Sequence, residues 1–460
     1  MPWWPSMKTT MFSTLALLLM TAMISKGAVA VSQTVSRTKI VAGETQEVVV
    51  RITVTGQEQP AQADDERPSM NLGLVLDRSG SMSGLRIEQA REAARMAVRQ
   101  MTSKDFLSLV SFGQDVTVDV PATLVTASVA FESAIAEMQA AGFTPLYEGV
   151  ETGAAEIKKN LDDKHINRVL LMSDGHANRG PSTPAELAAL GSKLAAAGVS
   201  VTTIGLGDQF NEDLMTSLAA SSDANYYYVS DVEELPGVFE KELGALKDSV
   251  AREIRIHIEC PPGVTPVEVI GRPNSADGHK AEVGLGLLQA GQERSIYVRC
   301  RIDAEKLTAG SGNQALVTTR TVYRPASGER AVTVDSEPVA VEVTTSGPEA
   351  EQSINAEVTA EVALLEAAET RNQAIQLNDA GGFGDADAAL RGKAAELDSL
   401  AEKVTVPAAR EQLSREAARM RSEADQAGAG ALAPSDRKNL QGRAWQQLNS
   451  KEDLIEKQED

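Results

Sequence analysis

The sequence predicts an α/β fold, a doubly wound domain that is inserted in or flanked by an antiparallel β-sandwich and followed by an α-helical region. Three observations lead to this prediction. Short apolar runs alternate with helical runs between residues 70 and 246, residues 250–345 are rich in Val, Thr and Ile with alternating polarity, and the residues after 347 turn to Ala, Glu, Gln and Arg. Buried strands separated by helices indicate a mostly parallel sheet, whereas alternating polarity indicates half-buried antiparallel strands.

The composition is that of a globular protein with an acidic surface. The chain has 460 residues, of which 42% are hydrophobic and 24% are charged, so we expect two or three domains. Its formal net charge is −21. A nucleic acid is therefore not an expected partner, because binding to phosphates requires a basic face.

Residues 1–30 have the pattern of a cleaved signal peptide. Lys8 precedes an apolar stretch over residues 11–24, and residues 28–30 (Ala-Val-Ala) offer a small-x-small cleavage site. An uncleaved N-terminal anchor is the alternative. No later segment is apolar enough to span a bilayer, so we expect a secreted or periplasmic protein with no membrane span after cleavage.

The α/β domain is expected over residues 68–248. Its predicted strands are Leu72–Leu76, Phe106–Phe112, Arg168–Met172, Val199–Ile204 and Tyr226–Val229. Its predicted helices are Ile87–Met101, Val129–Met138, Leu146–Lys159, Pro184–Ala197, Glu212–Ala219 and Val232–Leu246. This alternation predicts a doubly wound sheet with helices on both faces.

The β-sandwich is expected over residues 249–346. Residues 31–67 contain one strand-like stretch, Glu47–Val54, which has no sheet of its own. The economical solution is that this strand joins the sandwich, so that the α/β domain is an insertion between two sandwich segments. The alternative is that it caps the edge of the α/β sheet.

The two cysteines of the chain, Cys260 and Cys300, both lie in alternating apolar segments of the predicted sandwich. In an oxidising compartment two strand cysteines can form a disulfide, and we predict this bridge. Two buried free thiols are the alternative, because the direction in which a strand residue faces is not readable from sequence.

The C-terminal part is expected to be helical over residues 350–427. Apolar residues recur there at helical spacing, and a turn at 378–384 separates two of the predicted helices. Residues 428–460 are polar and rich in charge, and we expect them to form a partly disordered tail.

A cluster of oxygen ligands follows the first strand of the α/β domain. Residues 77–81 read Asp-Arg-Ser-Gly-Ser, which places the carboxylate of Asp77 and the hydroxyls of Ser79 and Ser81 in one tight turn. Such hard oxygen ligands suit Mg²⁺, Ca²⁺ or Mn²⁺ rather than zinc or copper. The turn therefore predicts a site for a divalent cation.

Two further residues are expected at the same edge of the sheet. Asp174 follows the strand Arg168–Met172, and Thr144 lies just before a predicted helix. Ligands of doubly wound sheets bind beyond the carboxyl ends of the strands. Three separate loops thus bring the five predicted metal ligands, Asp77, Ser79, Ser81, Thr144 and Asp174, toward one point.

These residues resemble the metal-ion-dependent adhesion site of von Willebrand factor type A domains, in which Asp-x-Ser-x-Ser is followed by a Thr and an Asp-Gly. Residues 170–175 (Leu-Leu-Met-Ser-Asp-Gly) and 201–207 also look like the bacterial branch of that family. The layout is similar to that of secreted bacterial relatives once labelled calcium-activated chloride channel homologues and to that of inter-alpha-trypsin inhibitor heavy chains. No channel activity is implied, because no membrane segment remains.

The resemblance implies a metal-dependent protein-binding module of the adhesion type. Ser79, Ser81 and Thr144 would contact the cation through hydroxyls, and the two aspartates would act directly or through water. With few charged direct ligands the cation, Mg²⁺ in the first place and Ca²⁺ or Mn²⁺ otherwise, keeps an open position for a carboxylate of a protein partner. Arg78 and His176 are the expected partner contacts.

Two alternatives use the same domain differently. One is a cell-envelope assembly or stress scaffold in which the domain is structural. The other is a metal-dependent hydrolase, for which the sequence offers little: the four histidines include only His176 near the site, and no phosphate-binding G-x-x-x-x-G-K-[ST] loop occurs. We therefore expect no enzyme.

Overall fold

The computed structural model describes residues 24–26, 28–58, 67–126, 128–272, 276–303, 312–328 and 330–449. The strands in these residues are β1 Ile24–Lys26, β2 Val29–Val35, β3 Lys39–Val41, β4 Gln46–Gly56, β5 Ser69–Asp77, β6 Phe106–Phe112, β7 Val116–Leu124, β8 His165–Ser173, β9 Ser200–Leu206, β10 Tyr226–Val229, β11 Ser249–Glu259, β12 Val264–Val269, β13 Ala276–Asp277, β14 Lys280–Gln289, β15 Glu293–Ile302, β16 Asn313–Pro325, β17 Val332–Asp335 and β18 Val339–Thr344.

The α-helices are α1 Leu85–Gln100, α2 Val129–Glu137, α3 Leu146–Lys158, α4 Pro184–Ala196, α5 Glu212–Ser221, α6 Leu235–Lys247, α7 Gly347–Gln352, α8 Ala356–Asp379, α9 Phe383–Lys403, α10 Pro407–Ala429 and α11 Pro434–Leu448. Two short 3₁₀ turns cover Gly80–Met82 and Val232–Glu234. The predicted order of elements, an α/β domain within a sandwich and then helices, is confirmed.

The α/β domain contains a six-stranded sheet in the order β10-β9-β8-β5-β6-β7. Its strands pair in parallel, except that β7 runs antiparallel to β6 at the edge. Apolar side chains cover both faces and form two separate cores with the helices on each side. From β5 the chain moves outward through β6 and β7 and then returns to β8 on the other side. The order of the strands therefore reverses between β5 and β8, which is where doubly wound sheets bind ligands.

The sandwich consists of two sheets on either side of one apolar core. One sheet has the order β1-β2-β4-β15-β12, and the other has β13-β14-β11-β16-β18-β3 with β17 paired to β16. Strand β4, the stretch predicted at 47–54, pairs along its whole length with β15 and thus joins the sandwich. The expectation of a single strand in residues 31–67 was wrong, because β2 and β3 also lie in the sandwich. Both are short or half-exposed, which weakens their alternating pattern.

The chain leaves and re-enters the sandwich at the same turn. The backbone of Gly56 exchanges hydrogen bonds with Gln292 and Gly291 (N···O 2.9 Å each) in the turn between β14 and β15. On return, the Asp248 carbonyl accepts a hydrogen bond from the Ala290 N–H at 3.0 Å in that same turn. The α/β domain is therefore an insertion whose two connections meet one β-hairpin.

Helix α8 packs on the outer face of the β4–β15 sheet, where Val49 and Tyr297 contact Val358 in a small apolar cluster. Helices α8, α9 and α10 bury an alanine- and leucine-rich core. Arg371, which is fully buried between them, pairs with Glu416 at 2.6 Å and Glu423 at 2.7 Å. The predicted helical region is present, and its charges are paired where they are buried.

Residues 434–448 form helix α11, where the sequence predicted a polar tail. Trp445 is only 6% exposed and belongs to a core of the α/β domain, packing edge-to-face on Tyr226 with ring centroids 6.0 Å apart. Lys438 is also buried and pairs with Glu212 of α5 at 2.8 Å. Helix α11 has low hydrophobicity because the surface through which it docks on the α/β domain consists largely of ion pairs. Residues 450–460 lie outside the described residues.

Most of the predicted signal peptide, residues 1–23, lies outside the described residues, as does 27. Val29 and Ala30 of the predicted cleavage site begin strand β2 and are buried. None of the helices in the described part of the chain combines the length and hydrophobicity that crossing a membrane requires.

Cys260 and Cys300 are both free thiols in the structure. They lie just after β11 and in β15, on the two facing sheets of the sandwich, and both belong to its apolar core, where the Cys300 thiol donates to the Val298 carbonyl at 3.9 Å. The arrangement thus corresponds to the alternative of two buried thiols, and it places them side by side.

Candidate metal centre

The five predicted ligands meet at the edge of the sheet where strand order reverses. Strand β5 ends at Asp77 and strand β8 ends at Ser173, one residue before Asp174, while Thr144 lies two residues before α3. Asp77, Ser79, Thr144 and Asp174 are each no more than 2% exposed. Ser81 is exposed, so the cluster opens to solvent on its side.

Both carboxylate oxygens of Asp77 accept hydrogen bonds. Its Oδ1 accepts the backbone N–H of Ser79 at 2.7 Å, and its Oδ2 accepts the hydroxyl of Ser173. Burial raises the pKa of Asp77 to about 6, and the hydrogen bonds from Ser173 and Ser79 oppose that rise. A buried carboxylate that is costly to ionise gains from a cation nearby.

The hydroxyls form a connected row. Ser79 Oγ lies 3.0 Å from Ser81 Oγ, and Ser81 Oγ donates to Asp174 Oδ1 at 2.7 Å. Thr144 is fixed through its backbone, since its N–H donates to Asn178 Oδ1 at 2.8 Å. Neutral hydroxyls and buried carboxylates thus line the same small space.

Gly175 leaves room for these oxygens. A methyl group at position 175 would lie 3.1 Å from Thr144 Oγ1 and 3.5 Å from Ser81 Oγ. The first distance is tighter than ordinary packing allows. A side chain here would therefore intrude on the two hydroxyls, which come from different loops and converge only in the folded chain.

Asp174 also has a cationic partner. Its Oδ2 accepts a hydrogen bond from Arg86 Nη1 at 2.8 Å, and the same nitrogen donates to the Ser81 carbonyl at 3.2 Å. Burial raises the pKa of Asp174, and the hydrogen bond from Ser81 and the charge of Arg86 counteract the rise. Sequence reasoning missed Arg86. The available signal was a cation in the first turn of α1, where the helix dipole disfavours it unless an acid is near.

The donor set fits a hard divalent cation. It offers three hydroxyls and two carboxylates, which are the oxygen ligands that Mg²⁺ and Ca²⁺ prefer. These five residues offer no sulfur ligand, which a thiophilic metal would prefer. Within the described residues no group of three or more His, Cys, Asp or Glu side chains is placed to hold a metal. A site here would accordingly depend on its hydroxyls.

The two expected partner contacts differ. His176 is exposed beside Asp174. Arg78 is half-buried, and its Nε donates to Ser111 Oγ at 3.0 Å, so its side chain does not extend freely outward toward a partner. Two apolar side chains next to the ligands are exposed instead, Leu85 at 47% and Phe143 at 51%.

The sequence model of the von Willebrand factor type A domain matches residues 71–241. This part of the chain is a von Willebrand factor type A domain. The match contains the whole ligand cluster and the six-stranded sheet except for the first residues of β5. Domains of this family are generally interaction modules rather than enzymes.

Similar proteins extend the comparison. An uncharacterized protein of Synechocystis sp. is 28% identical over 298 residues, which cover 62% of this chain and 69% of that protein. Inter-alpha-trypsin inhibitor heavy chain H3 of Homo sapiens is 26% identical over 204 residues, 40% of this chain and only 22% of that protein. The predicted likeness to the heavy chains is thus confirmed over 40% of this chain.

A solved structure resembles the chain far beyond that domain. The von Willebrand factor type A protein from Catenulispora acidiphila has a TM-score of 0.69 and 15% identity, over 92% of this chain and 98% of the other. At this identity the likeness concerns the fold alone. It confirms that the predicted fold class, with sandwich and helices around the domain, is an arrangement that another protein shares.

Proposed function

We propose that the protein is a metal-dependent protein-binding module that acts outside the cytoplasm and docks an acidic group of a partner protein at the centre formed by Asp77, Ser79, Ser81, Thr144 and Asp174. The observation that carries the proposal is the convergence of three hydroxyls and two buried carboxylates from separate loops, with a glycine where a side chain would block them. Mg²⁺ is the proposed ion, because small sites of hydroxyls and water suit its octahedral shell.

When bound, the cation would supply a positive centre with one coordination position free for a carboxylate from the partner. The residues of the site would leave much of the positive charge of the cation uncompensated. Ser79, Ser81 and Thr144 are neutral donors, and both aspartates are already engaged by hydrogen bonds from serine side chains. The carboxylates therefore compensate the cation without enclosing it, and the exposed side at Ser81 faces the partner.

The surroundings of the centre favour a protein partner. Leu85 and Phe143 adjoin the ligand loops in sequence and are 47% and 51% exposed, so they add apolar surface beside the centre. His176, two residues after Asp174, is exposed as well. An acidic side chain flanked by apolar residues would match this combination, since central anchors with apolar neighbours dominate protein interfaces.

Metal binding is tested by the melting temperature. After chelation, Mg²⁺ or Mn²⁺ should raise the melting temperature of the wild type, and Ser79→Ala should abolish the shift. Asp335→Ala is a matched control, because Asp335 is an exposed acid in the sandwich that pairs with the exposed Arg320. An unshifted wild type would refute metal binding.

Docking is tested separately by capture of envelope proteins with and without EDTA. The proposal expects a partner that is retained by wild type and by Asp335→Ala in Mg²⁺, and is lost in EDTA or with Asp174→Ala. Capture that persists in both of the latter conditions would favour the scaffold alternative, in which the domain acts structurally. A divalent-dependent hydrolytic activity that Ser79→Ala abolishes would favour the enzyme alternative.

A further inference from the structure

We propose that Arg86 is an internal cation that neutralises Asp174, so that it weakens binding of the metal and leaves more of the metal's charge for the partner's carboxylate. This inference rests on the proposed function and concerns how the same site is tuned. Arg86 acts through Asp174 and is a positioning residue, since it contributes no ligand atom.

Arg86 makes two specific contacts at the site, which distinguish it from a chance ion pair on the surface. Its guanidinium bonds to Asp174 Oδ2 at 2.8 Å and to the Ser81 carbonyl at 3.2 Å. Asp174 is fully buried, whereas the Arg86 side chain is 32% exposed. The arginine thus reaches from the surface to a carboxylate that has no contact with solvent.

Gly207 lies next to the guanidinium of Arg86. It follows β9 with φ +62°, and a methyl group there would lie 3.2 Å from Arg86 Nη2. The glycine therefore serves two needs, a left-handed backbone and space for the guanidinium. The loop after β9 thus leaves space for the ion pair that Arg86, in the first turn of α1, forms with Asp174.

The location of the arginine requires an explanation. Arg86 is the second residue of α1, where the partial positive charge of the helix N-terminus opposes a cation. Its pairing with Asp174 offsets that repulsion and also supplies the charge that a buried carboxylate needs. Arg86 and a divalent cation would consequently compensate the same carboxylate.

Two opposite effects follow from this competition. Removing the charge of Arg86 leaves Asp174 with its full negative charge for the metal, so the metal should bind more tightly. The same change leaves the bound metal more fully neutralised, so it should attract an external carboxylate less. A residue with a purely structural role would weaken metal binding when replaced, because its loss would loosen the site.

The experiment measures Mn²⁺ affinity by electron paramagnetic resonance in the full-length chain. Arg86→Gln should bind Mn²⁺ about tenfold more tightly than wild type, on the scale expected for one partly screened neighbouring charge. Arg86→Lys should stay close to wild type. Arg95→Gln is the matched control, since it removes the same charge from the same helix at a position paired with Glu92 and Glu132.

A second measurement tests the ion pair between Arg86 and Asp174 in the absence of metal. In EDTA, a double-mutant cycle of Arg86→Gln and Asp174→Asn should show favourable coupling in the free energy of unfolding, because Arg86→Gln leaves a buried carboxylate without its cation and Asp174→Asn leaves a partly buried guanidinium without its anion. Coupling near zero would overturn the inference, as would an Arg86→Gln affinity equal to that of wild type or of Arg95→Gln. Absence of Mn²⁺ binding in both wild type and Arg86→Gln would instead refute the proposed function on which the inference rests.

Discussion

Truncation of Trp445 tests whether helix α11 is part of the α/β domain. The side chain is 6% exposed and packs on Tyr226 in a core that also contains Leu214 and Phe210. A tryptophan buries roughly 150–250 Å², which corresponds to about 4–6 kcal/mol at 25 cal/mol per Å². Because that figure is an upper estimate, we expect Trp445→Ala to lower the free energy of unfolding by about 3–5 kcal/mol.

The assay is urea-induced unfolding followed by circular dichroism, together with hydrogen exchange of residues 434–448. Trp445→Ala should shift unfolding of the domain to lower urea and should raise exchange throughout α11. Trp445→Phe is the matched control, since it keeps an aromatic ring against Tyr226 and should cost about 1–2 kcal/mol. The other tryptophans, Trp3 and Trp4, lie in the predicted signal peptide, so tryptophan fluorescence of the cleaved chain reports on α11 directly.

Unchanged unfolding and unchanged exchange in Trp445→Ala would refute this account. They would mean that the helix gains its order from its own sequence or from ion pairs alone. Glu212→Gln separates these cases, because it removes the acid that pairs with Lys438 and Arg437 while leaving Trp445 in place.

Three further predictions concern other parts of the molecule. Gly175→Ala should leave the fold intact but reduce the melting-temperature shift caused by Mg²⁺, because the new methyl group lies 3.1 Å from Thr144 Oγ1; a full shift would show that the two hydroxyls are not ligands. The carboxylate of Asp105 is fully buried, and although burial raises its pKa, the ion pair with Arg67 and hydrogen bonds from Thr102 and Met70 lower it overall. Asp105→Asn should therefore destabilise the chain by about 3 kcal/mol at pH 7. The difference should shrink as the pH falls below the ordinary aspartate pKa of about 3.9, because the unfolded chain is protonated first and the folded wild type follows at its lower pKa; a pH-independent difference would contradict this. The neighbouring thiols of Cys260 and Cys300 should oxidise to a disulfide outside the cytoplasm, lowering the mass by two hydrogens in non-reducing mass spectrometry; a mass matching two free thiols after secretion would contradict the bridge.

Strong local patterns made much of the fold predictable. The strands at 106–112 and 226–229 have the predicted bounds, because each is a short apolar run ended by turn residues. Strand β7 was not predicted, since it lies at the edge of the sheet with most of its side chains exposed. A strand that buries few residues has no apolar pattern to read.

The candidate site was predictable for a different reason. Its ligands follow strand ends, and parallel strands deliver those ends to one edge, so topology alone brings Asp77 and Asp174 together. Arg86 and the docking of α11 depend instead on contacts between distant segments. Lys438 and Glu212, for example, are ordinary charged helix residues in sequence and are buried only because they meet.

The single hairpin turn that receives both connections of the inserted domain has a mechanical consequence. Gly56 and Asp248 are tied to the same few residues of that turn, so tension applied at the far end of the domain reaches the sandwich through two adjacent anchors. Each anchor lies beside long antiparallel strands, β4 on β15 and β11 on β14 and β16. A load from a captured partner would thus be divided between both sheets of the sandwich, and two attachments would resist twisting of the domain better than one could.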